Sequence, residues 1–415
     1  MYTFGIALYA LVARLIAPFH KKAGLMTKGQ RQTFDILKEK RIPEAEYIWF
    51  HASSLGEFEQ GRPVIEQIRK KFPQYKIILT FFSPSGYKVR KNYEGADIVC
   101  YLPFDLPRNV ERFLNIVQPK MTIFIKYEFW MNYLCNCKKR NIPTYIISAV
   151  FRSNQIFFRW YGKDYRKVLH TYKWLFVQEQ SSLELLKKYN INNVSVSGDT
   201  RFDRVYSIYE QHKDIPIVEN FVRNSDDFVL VAGSSWSQDE DIFIDYFNNH
   251  SEMKLIIAPH EIHEERLQSI LSKIKRSAIR YSSATEENIT GKDCLIIDCI
   301  GMLSSIYKYG NMAYIGGGFG AGIHNILEAA VYGIPVVFGM NYQKFKEAHG
   351  IIAAGGGFPI KDKADFYSVT NKFINEKDTL KIAGENAGNY VKKNLGASEI
   401  SMKEISMTLQ SFGDN

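Results

Sequence analysis

The sequence predicts an α/β protein built from two parallel-sheet domains and preceded by an apolar helix. Three observations carry that reading. Short apolar runs alternate with amphipathic segments along most of the chain; the alternation stops at a polar stretch and then restarts; and residues 2–19 hold a single charge, Arg14. The chain has 415 residues, 46% hydrophobic and 23% charged, which suits two to three globular domains.

The first element is "YTFGIALYALVARLIAPF", Tyr2 to Phe19. A spanning helix needs about 20 apolar residues, so this run sits at the limit. A cleaved signal peptide puts positive charge ahead of its apolar run; here Lys21, Lys22, Lys28 and Arg31 come after it. That asymmetry places the rest of the chain on the cytoplasmic side. The alternative is a helix packed on the first domain. As an anchor without catalytic groups, residues 1–19 are expected to be dispensable for chemistry on a soluble acceptor.

The first αβ series then runs "YIWF", "VIEQIRKKF", "KIILTFF", "ADIVCYLPFD", "LPRNVERFLNIV", "KMTIFIKYEFW", "MNYLCNCKKR", "PTYIISAV" and "WLFVQE", and closes at "NVSVSGD". Pro107 near the start and Pro119 past the end frame one of its helices. A polar stretch, Tyr209 to Asp227, follows. The second series is "DFVLVAGSS", "MKLIIAPHE", "DCLIID", "NMAYIGGGFGAG" and "IPVVFG". Two Rossmann-like domains facing a central cleft are expected, with ligand in the cleft. The boundaries read as 1–22 for the anchor helix, 23–212 and 213–390 for the two domains, and 391–415 for a C-terminal helix that crosses back to the first.

Composition narrows the function. A net charge of +9 suits an anionic partner. No run of Lys and Arg is long enough for a nucleic-acid arm, so no nucleic acid is expected. Five cysteines, odd in number and without zinc spacing, suit a reducing compartment.

Several stretches can carry chemistry. "HASSLGEFEQG" puts Glu57 and Glu59 where a strand hands over to a helix, the edge at which open α/β sheets bind and react. First-turn acids also simply suit the helix dipole. With a helix from about Ser54, Glu57 and Glu59 point about 200° apart, so only one faces the site and the other is a solvated acid. "YIGGGFGAGIHNILEAA", Tyr314 to Ala330, is an apolar strand, a glycine cluster and a helix starting near His324 or Asn325. Such a turn permits close backbone approach and draws an anion to the helix start. It misses G-x-G-x-x-G, and a tight turn is the alternative. Glu328 there can accept from ribose hydroxyls. "AGSSWSQDED" repeats the strand, glycine, hydroxyl and acid order, with N-capping by Ser237 as the plain explanation. "APHEIHEER" is not H-E-x-x-H and argues against zinc. "GDTRFDRV" offers Arg201 and Arg204 to a leaving phosphate, or to solvent. "KYEFW" puts Lys126 and Glu128 on one strand face by period two, a buried ion pair being the alternative.

Taken together and in order, these motifs resemble the Kdo transferase family, GT-B fold glycosyltransferases that add 3-deoxy-D-manno-octulosonic acid (Kdo) to lipid A precursor. "HASSLGE" is similar to the family's HAVSVGE and "KYEFWMN" to its ETELWPN, without the first acid and the proline. "GDTRFD" is similar to GNxKFD, with Arg201 for lysine; "GSSWSQDE" to GSTxxxE; and "PHEIHEER" to PRHPER, with His260 for an arginine. Gly301-Met302-Leu303 stands for GEL, and "GAGIHNILEAA" for GGHNxLEPA. The resemblance covers nearly the whole chain, and the departures mark a divergent member.

The resemblance implies CMP-Kdo as donor, bound by the second domain, and lipid A precursor as acceptor, bound by the first, at the cytoplasmic face of the inner membrane. It implies inverting transfer with Glu57 as general base. Glu128 stabilises the transition state, and Arg201 the transition state and the departing CMP. Pro259, His260, Gly301, Met302, Leu303, Asn325, Ile326, Leu327 and Glu328 hold CMP. No metal and no cofactor are expected, since a single-phosphate leaving group has little need of one. The alternatives are a GT-B enzyme acting on a UDP-sugar, either transferase or epimerase, and a non-catalytic lipid-binding protein.

Overall fold

The computed structural model describes residues 1–211, 214–223 and 227–413. The chain divides into two compact units, Met1–Arg204 with Gly396–Asn415, and Val205–Leu395. The expected 212/213 boundary lies outside the described residues.

The first unit is a parallel seven-stranded sheet: β1 (Tyr47–Ala52), β2 (Lys76–Phe81), β3 (Ile98–Tyr101), β4 (Pro119–Ile125), β5 (Thr144–Ala149), β6 (Trp174–Val177) and β7 (Val194–Val196). Their spatial order is β3-β2-β1-β4-β5-β6-β7. Every residue of β1 is buried because helices cover both faces, which is why its sequence reads as a continuous apolar run. His51, near the end of β1, lies opposite Thr80 on one side and Phe124 on the other. The C-terminal helix Ala397–Ser411 belongs to this unit. Met402, Ile405 and Leu409 enter its core, and Thr408 Oγ1 lies 2.7 Å from Tyr145 Oη.

The N-terminal segment departs from a single anchor helix over 1–22. Helix α1 (Tyr2–Ile16) is only 15 residues long and turns by 115° into α2 (Lys21–Lys40), which His20 caps. No single described helix is long and apolar enough to cross a membrane, although α1 and α2 together pass that test as a bent pair. Ala10 and Ala13 pack on Met26 and Phe104. The opposite side of α1 exposes Phe4, Leu8 and Leu15, with Phe19 just beyond its end.

The second unit is again a parallel seven-stranded sheet: β8 (Phe228–Ser235), β9 (Met253–Pro259), β10 (Ala278–Arg280), β11 (Cys294–Ile296), β12 (Met312–Ile315), β13 (Val336–Gly339) and β14 (Gly357–Ile360). The order is β10-β11-β9-β8-β12-β13-β14. Each sheet reverses its direction of winding once, between β1 and β4 in the first unit and between β8 and β12 in the second. Outside the carboxyl ends of the strands at such a reversal, the loops diverge and leave room for a ligand.

Candidate active site

At the reversal in the first unit, the loops after β1 and β4 carry the two carboxylates singled out above. Helix α3 (Leu55–Lys71) starts after Ser54 and holds Glu57 in its first turn. Ser54 Oγ donates to Glu57 Oε2, which fixes the side chain at the helix mouth. Helix α3 sits very close to the sheet: a Cβ on Gly61 would meet Ile125 Cδ1 at 2.1 Å. A Cβ on Gly56, by contrast, would meet nothing nearer than Ser54 Oγ at 3.9 Å.

Glu59 is not the solvated acid expected. Its carboxylate accepts from Arg90 at 2.6 Å and Arg204 at 3.2 Å, with Arg62 at 3.8 Å. This also takes Arg204 out of the solvated class. The two acids diverge as helical geometry requires, but the outward one is the node of an arginine cluster.

The loop after β4 corrects the period-two reading. Lys126 adopts φ +71°, so the strand alternation ends before it. Glu128, only 5% exposed, is held from three sides. Trp130 Nε1 donates to its Oε2 at 2.5 Å, His51 Nε2 lies 3.1 Å from the same oxygen, and Tyr172 Oη donates to its backbone carbonyl. His51 is fully buried, with Nδ1 beside Thr80 Oγ1 at 2.9 Å and Thr80 O at 3.1 Å. Both neutral tautomers fit. A proton on Nδ1 goes to the Thr80 carbonyl and leaves Nε2 to accept from Trp130; a proton on Nε2 goes to Glu128. This buried relay from β2 through β1 to Glu128 was not singled out by pattern, although His51 opens the "HASSLGE" motif.

An open hollow of about 460 Å³ lies against this group, with Ser53, Phe82, Glu128 and Trp130 on one side and Tyr2 and Tyr9 of α1 on the other. Tyr2 Oη donates to Asp105 Oδ2 at 2.6 Å. Burial pushes the Asp105 carboxyl up, against the donors Tyr2, Asn132 N and Tyr133 N. Helix α1 is therefore a wall of the hollow.

Arg201 lies at the start of helix Thr200–Glu210. Its Nε and Nη2 donate to Asp199 Oδ2 at 2.9 and 2.7 Å. Burial works to raise the Asp199 carboxyl, but the Arg201 charge and hydrogen bonds outweigh it and hold the group below its usual value.

At the reversal in the second unit, Trp236 follows β8, His260 follows β9, and His324 lies in the glycine loop after β12. The His260 ring stacks on Trp236 and on His324, each at 4.6 Å between centroids. Trp236 Nε1 donates to His324 Nε2 at 3.2 Å. Burial, with His260 adding to it, lowers His324 to about 4, so it is neutral at pH 7. Trp236 and His324 were not among the expected site residues.

The acids of "AGSSWSQDED" tie this edge together. Asp239 caps its own helix, accepting from Trp236 N, and also accepts from Gly317 N and Tyr314 Oη, all at 2.9 Å. Capping is thus by Asp239 and not Ser237. Glu240, fully buried, accepts from Ser235 Oγ and Arg266 Nη2.

The glycine loop differs from its expected form. The helix after it is Leu327–Ala330, four residues long, and starts later than expected. Its dipole is correspondingly small. A Cβ on Gly316 would meet Ser234 O at 2.2 Å and one on Gly318 would meet Gly339 N at 2.5 Å, so packing against neighbouring backbone requires glycine at these two positions. Gly320 has no such neighbour within 3.9 Å. Asn325, just before the short helix, accepts from Leu327 N at 3.2 Å and donates to Glu328 Oε1 at 3.0 Å, while Ile326 and Leu327 are fully buried. Pro259 is buried at the end of β9, whereas His260 is exposed. Gly301 turns the chain at φ +96° into Met302 and Leu303. Among the described residues, no group of three His, Cys, Asp or Glu is placed to hold a metal ion.

Residues 19–204 match the model of a family described as 3-deoxy-D-manno-octulosonic-acid transferase (kdotransferase). The 3-deoxy-D-manno-octulosonic acid transferase of Aquifex aeolicus is 26% identical over 83% of this chain and 92% of its own. That of Haemophilus influenzae is 23% identical over 86% and 85%. A bifunctional glycosyltransferase/methyltransferase of Fusobacterium nucleatum is 27% identical over 88% of this chain and 58% of its own. Among solved structures, UDP-GlcNAc 2-epimerase from Neisseria meningitidis superposes with a TM-score of 0.61 at 15% identity, covering 88% of this chain and 100% of that one. That likeness shows a shared GT-B type fold.

Proposed function

We propose that this chain, a glycosyltransferase of the 3-deoxy-D-manno-octulosonic acid transferase family, transfers Kdo from CMP-Kdo to lipid A precursor at the cytoplasmic face of the inner membrane. The observation that supports this most is the pair of fixed carboxylates, Glu57 and Glu128, on the two loops that flank the first sheet's reversal.

In the proposed reaction an acceptor hydroxyl attacks the anomeric carbon of Kdo and inverts it. The bond from that carbon to the CMP phosphate oxygen breaks, and CMP departs with the electron pair. Glu57 takes the hydroxyl proton. Glu128, kept in place by His51 and Trp130, balances positive charge that develops on the sugar ring. Arg201, aimed by Asp199, meets the negative charge on the departing phosphate. CMP is held in the second unit by Pro259, His260, Gly301 to Leu303 and Asn325 to Glu328. The Trp236–His260–His324 stack gives that region flat aromatic faces suited to a nucleotide.

No divalent cation takes part in this scheme, because the leaving group carries one phosphate. The apolar outer face of α1 and the basic charge suit a lipid acceptor at an anionic membrane. The test is incubation of the chain with CMP-Kdo and lipid A precursor in the presence of chelator, read by product mass. A mass gain of one or more Kdo units is expected. An unchanged acceptor mass, with and without added Mg²⁺, sinks the reading.

A further inference from the structure

A second polar hollow lies in the first unit, of about 240 Å³, and nothing above uses it. Arg14 of α1, Gln30 and Arg31 of α2, and Arg112 of helix Pro107–Val117 line it, over a floor that includes Phe34 and Phe104. Among the described residues none of the three guanidiniums has an ion-pair partner. Two are instead set on rings: Arg112 stands 4.0 Å over Phe34 and Arg14 5.9 Å over Phe104. Gln30 is only 6% exposed, and neither its Oε1 nor its Nε2 has a hydrogen-bond partner. A buried unpaired amide is costly, and native chains keep few of them.

We propose that this hollow is a binding site for the phosphate ester of a lipid. Three uncompensated cations attract an anion, a guanidinium fork matches phosphate oxygens, and the Gln30 amide supplies a neutral donor that a phosphate satisfies. The lipid part follows from position. Arg14 is the single charge of α1, whose outer face exposes Leu8, Leu11 and Leu15, so acyl chains lie along the helix that delivers a guanidinium to the headgroup. The phosphate belongs either to a bilayer phospholipid or to the phosphorylated acceptor; only the second source rests on the function proposed above.

The full chain is tested in two arms. One measures sedimentation with phosphatidylcholine vesicles, with and without phosphatidylglycerol. The other measures KM for detergent-dispersed lipid A precursor against its dephosphorylated form. Gln30→Leu removes the amide without changing charge, Arg112→Gln removes one cation, and Lys38→Gln is a charge control on α2 outside the hollow. Gln30→Leu and Arg112→Gln are each expected to weaken phosphate-dependent binding by about tenfold or more, while Lys38→Gln does not. Gln30→Leu should also melt no lower than the parent. Loss in the vesicle arm assigns the phospholipid, and loss in the KM arm assigns the acceptor. Unchanged binding by folded Gln30→Leu in both arms, or an equal loss in Lys38→Gln, overturns the site. A parent chain that transfers no Kdo overturns the proposed reaction but not this hollow, which the vesicle arm then decides alone.

Discussion

Glu57 and Glu59 lie two residues apart on one helix and meet different surroundings, so their amide variants should fail differently. Removal of a general base costs about 10²–10⁴-fold in rate. Glu57→Gln should therefore lose transfer by at least about 100-fold, keep its melting temperature and still bind CMP. Glu59→Gln should lose about 1–2 kcal/mol of stability, because Arg62, Arg90 and Arg204 lose their common negative charge and keep only one amide oxygen to share, with the rate per folded molecule unchanged. Melting curves beside kcat separate the two, and a larger rate loss at Glu59 would reassign the base. His324 sets a pH dependence. Its value falls from 6.5 to about 4 on folding, so between those limits the unfolded chain binds a proton that the folded chain refuses. Stability from this group is complete above about pH 6.5 and declines as pH falls toward 4. Wild type should thus lose more stability than His324→Gln between pH 7 and 4; parallel melting profiles would contradict it. The position of Glu57 at the start of α3 was legible because its motif is local in sequence. The His51–Glu128 and Trp236–His324 contacts join residues 77 and 88 positions apart, and only the strand order makes them neighbours.

At the scale of elements, α1 is where pattern reading was least complete. Its composition gave the apolar helix, but not that Tyr2 and Tyr9 wall the hollow beside Glu128 or that Tyr2 holds Asp105. Composition reports how apolar a helix is, whereas burial of Ala10 and Ala13 against Met26 and Phe104 depends on the partner surface. Deleting residues 1–19 should therefore release the chain from membranes and also impair transfer to a detergent-dispersed acceptor by about tenfold or more, a loss that repositioning a substrate readily produces. Full activity of the folded truncation would show that α1 is an anchor and nothing else. In the glycine loop, Gly318→Ala should destabilise the second unit, since its Cβ meets Gly339 backbone nitrogen at 2.5 Å. Gly320→Ala has room and should leave melting unchanged; a fall in CMP affinity at constant melting temperature would then mark Gly320 as the place where the nucleotide meets backbone. The sequence located this loop without separating glycines needed for packing from those left open, because that difference lies in β8 and β13, which precede and follow it in the chain.

At the scale of the whole molecule, each unit has one reversal of winding, and the loops at both carry residues on which the proposed chemistry depends. The alternating series made the two sheets legible, since strands buried on both faces write themselves as apolar runs. It could not show the crossing by which β11 inserts between β9 and the edge strand β10. The fold itself does not choose the nucleotide, so that choice rests on charge. A nucleoside diphosphate brings a second phosphate that must be neutralised. At the second reversal the helix after the glycine loop is a single turn, His324 is neutral at pH 7, and Asp239 is buried behind the loop, accepting from Gly317 N. The short dipole and the uncharged His324 disfavour a second phosphate there, whereas one phosphate on a stacked cytosine makes the smaller demand. CMP should accordingly raise the melting temperature and inhibit transfer competitively with CMP-Kdo. UDP at the same concentration should do neither. Equal protection by UDP would mean that the site holds a diphosphate, and would move the proposed donor from CMP-Kdo to a UDP-sugar while leaving the assignment of Glu57 to be judged by its own variant.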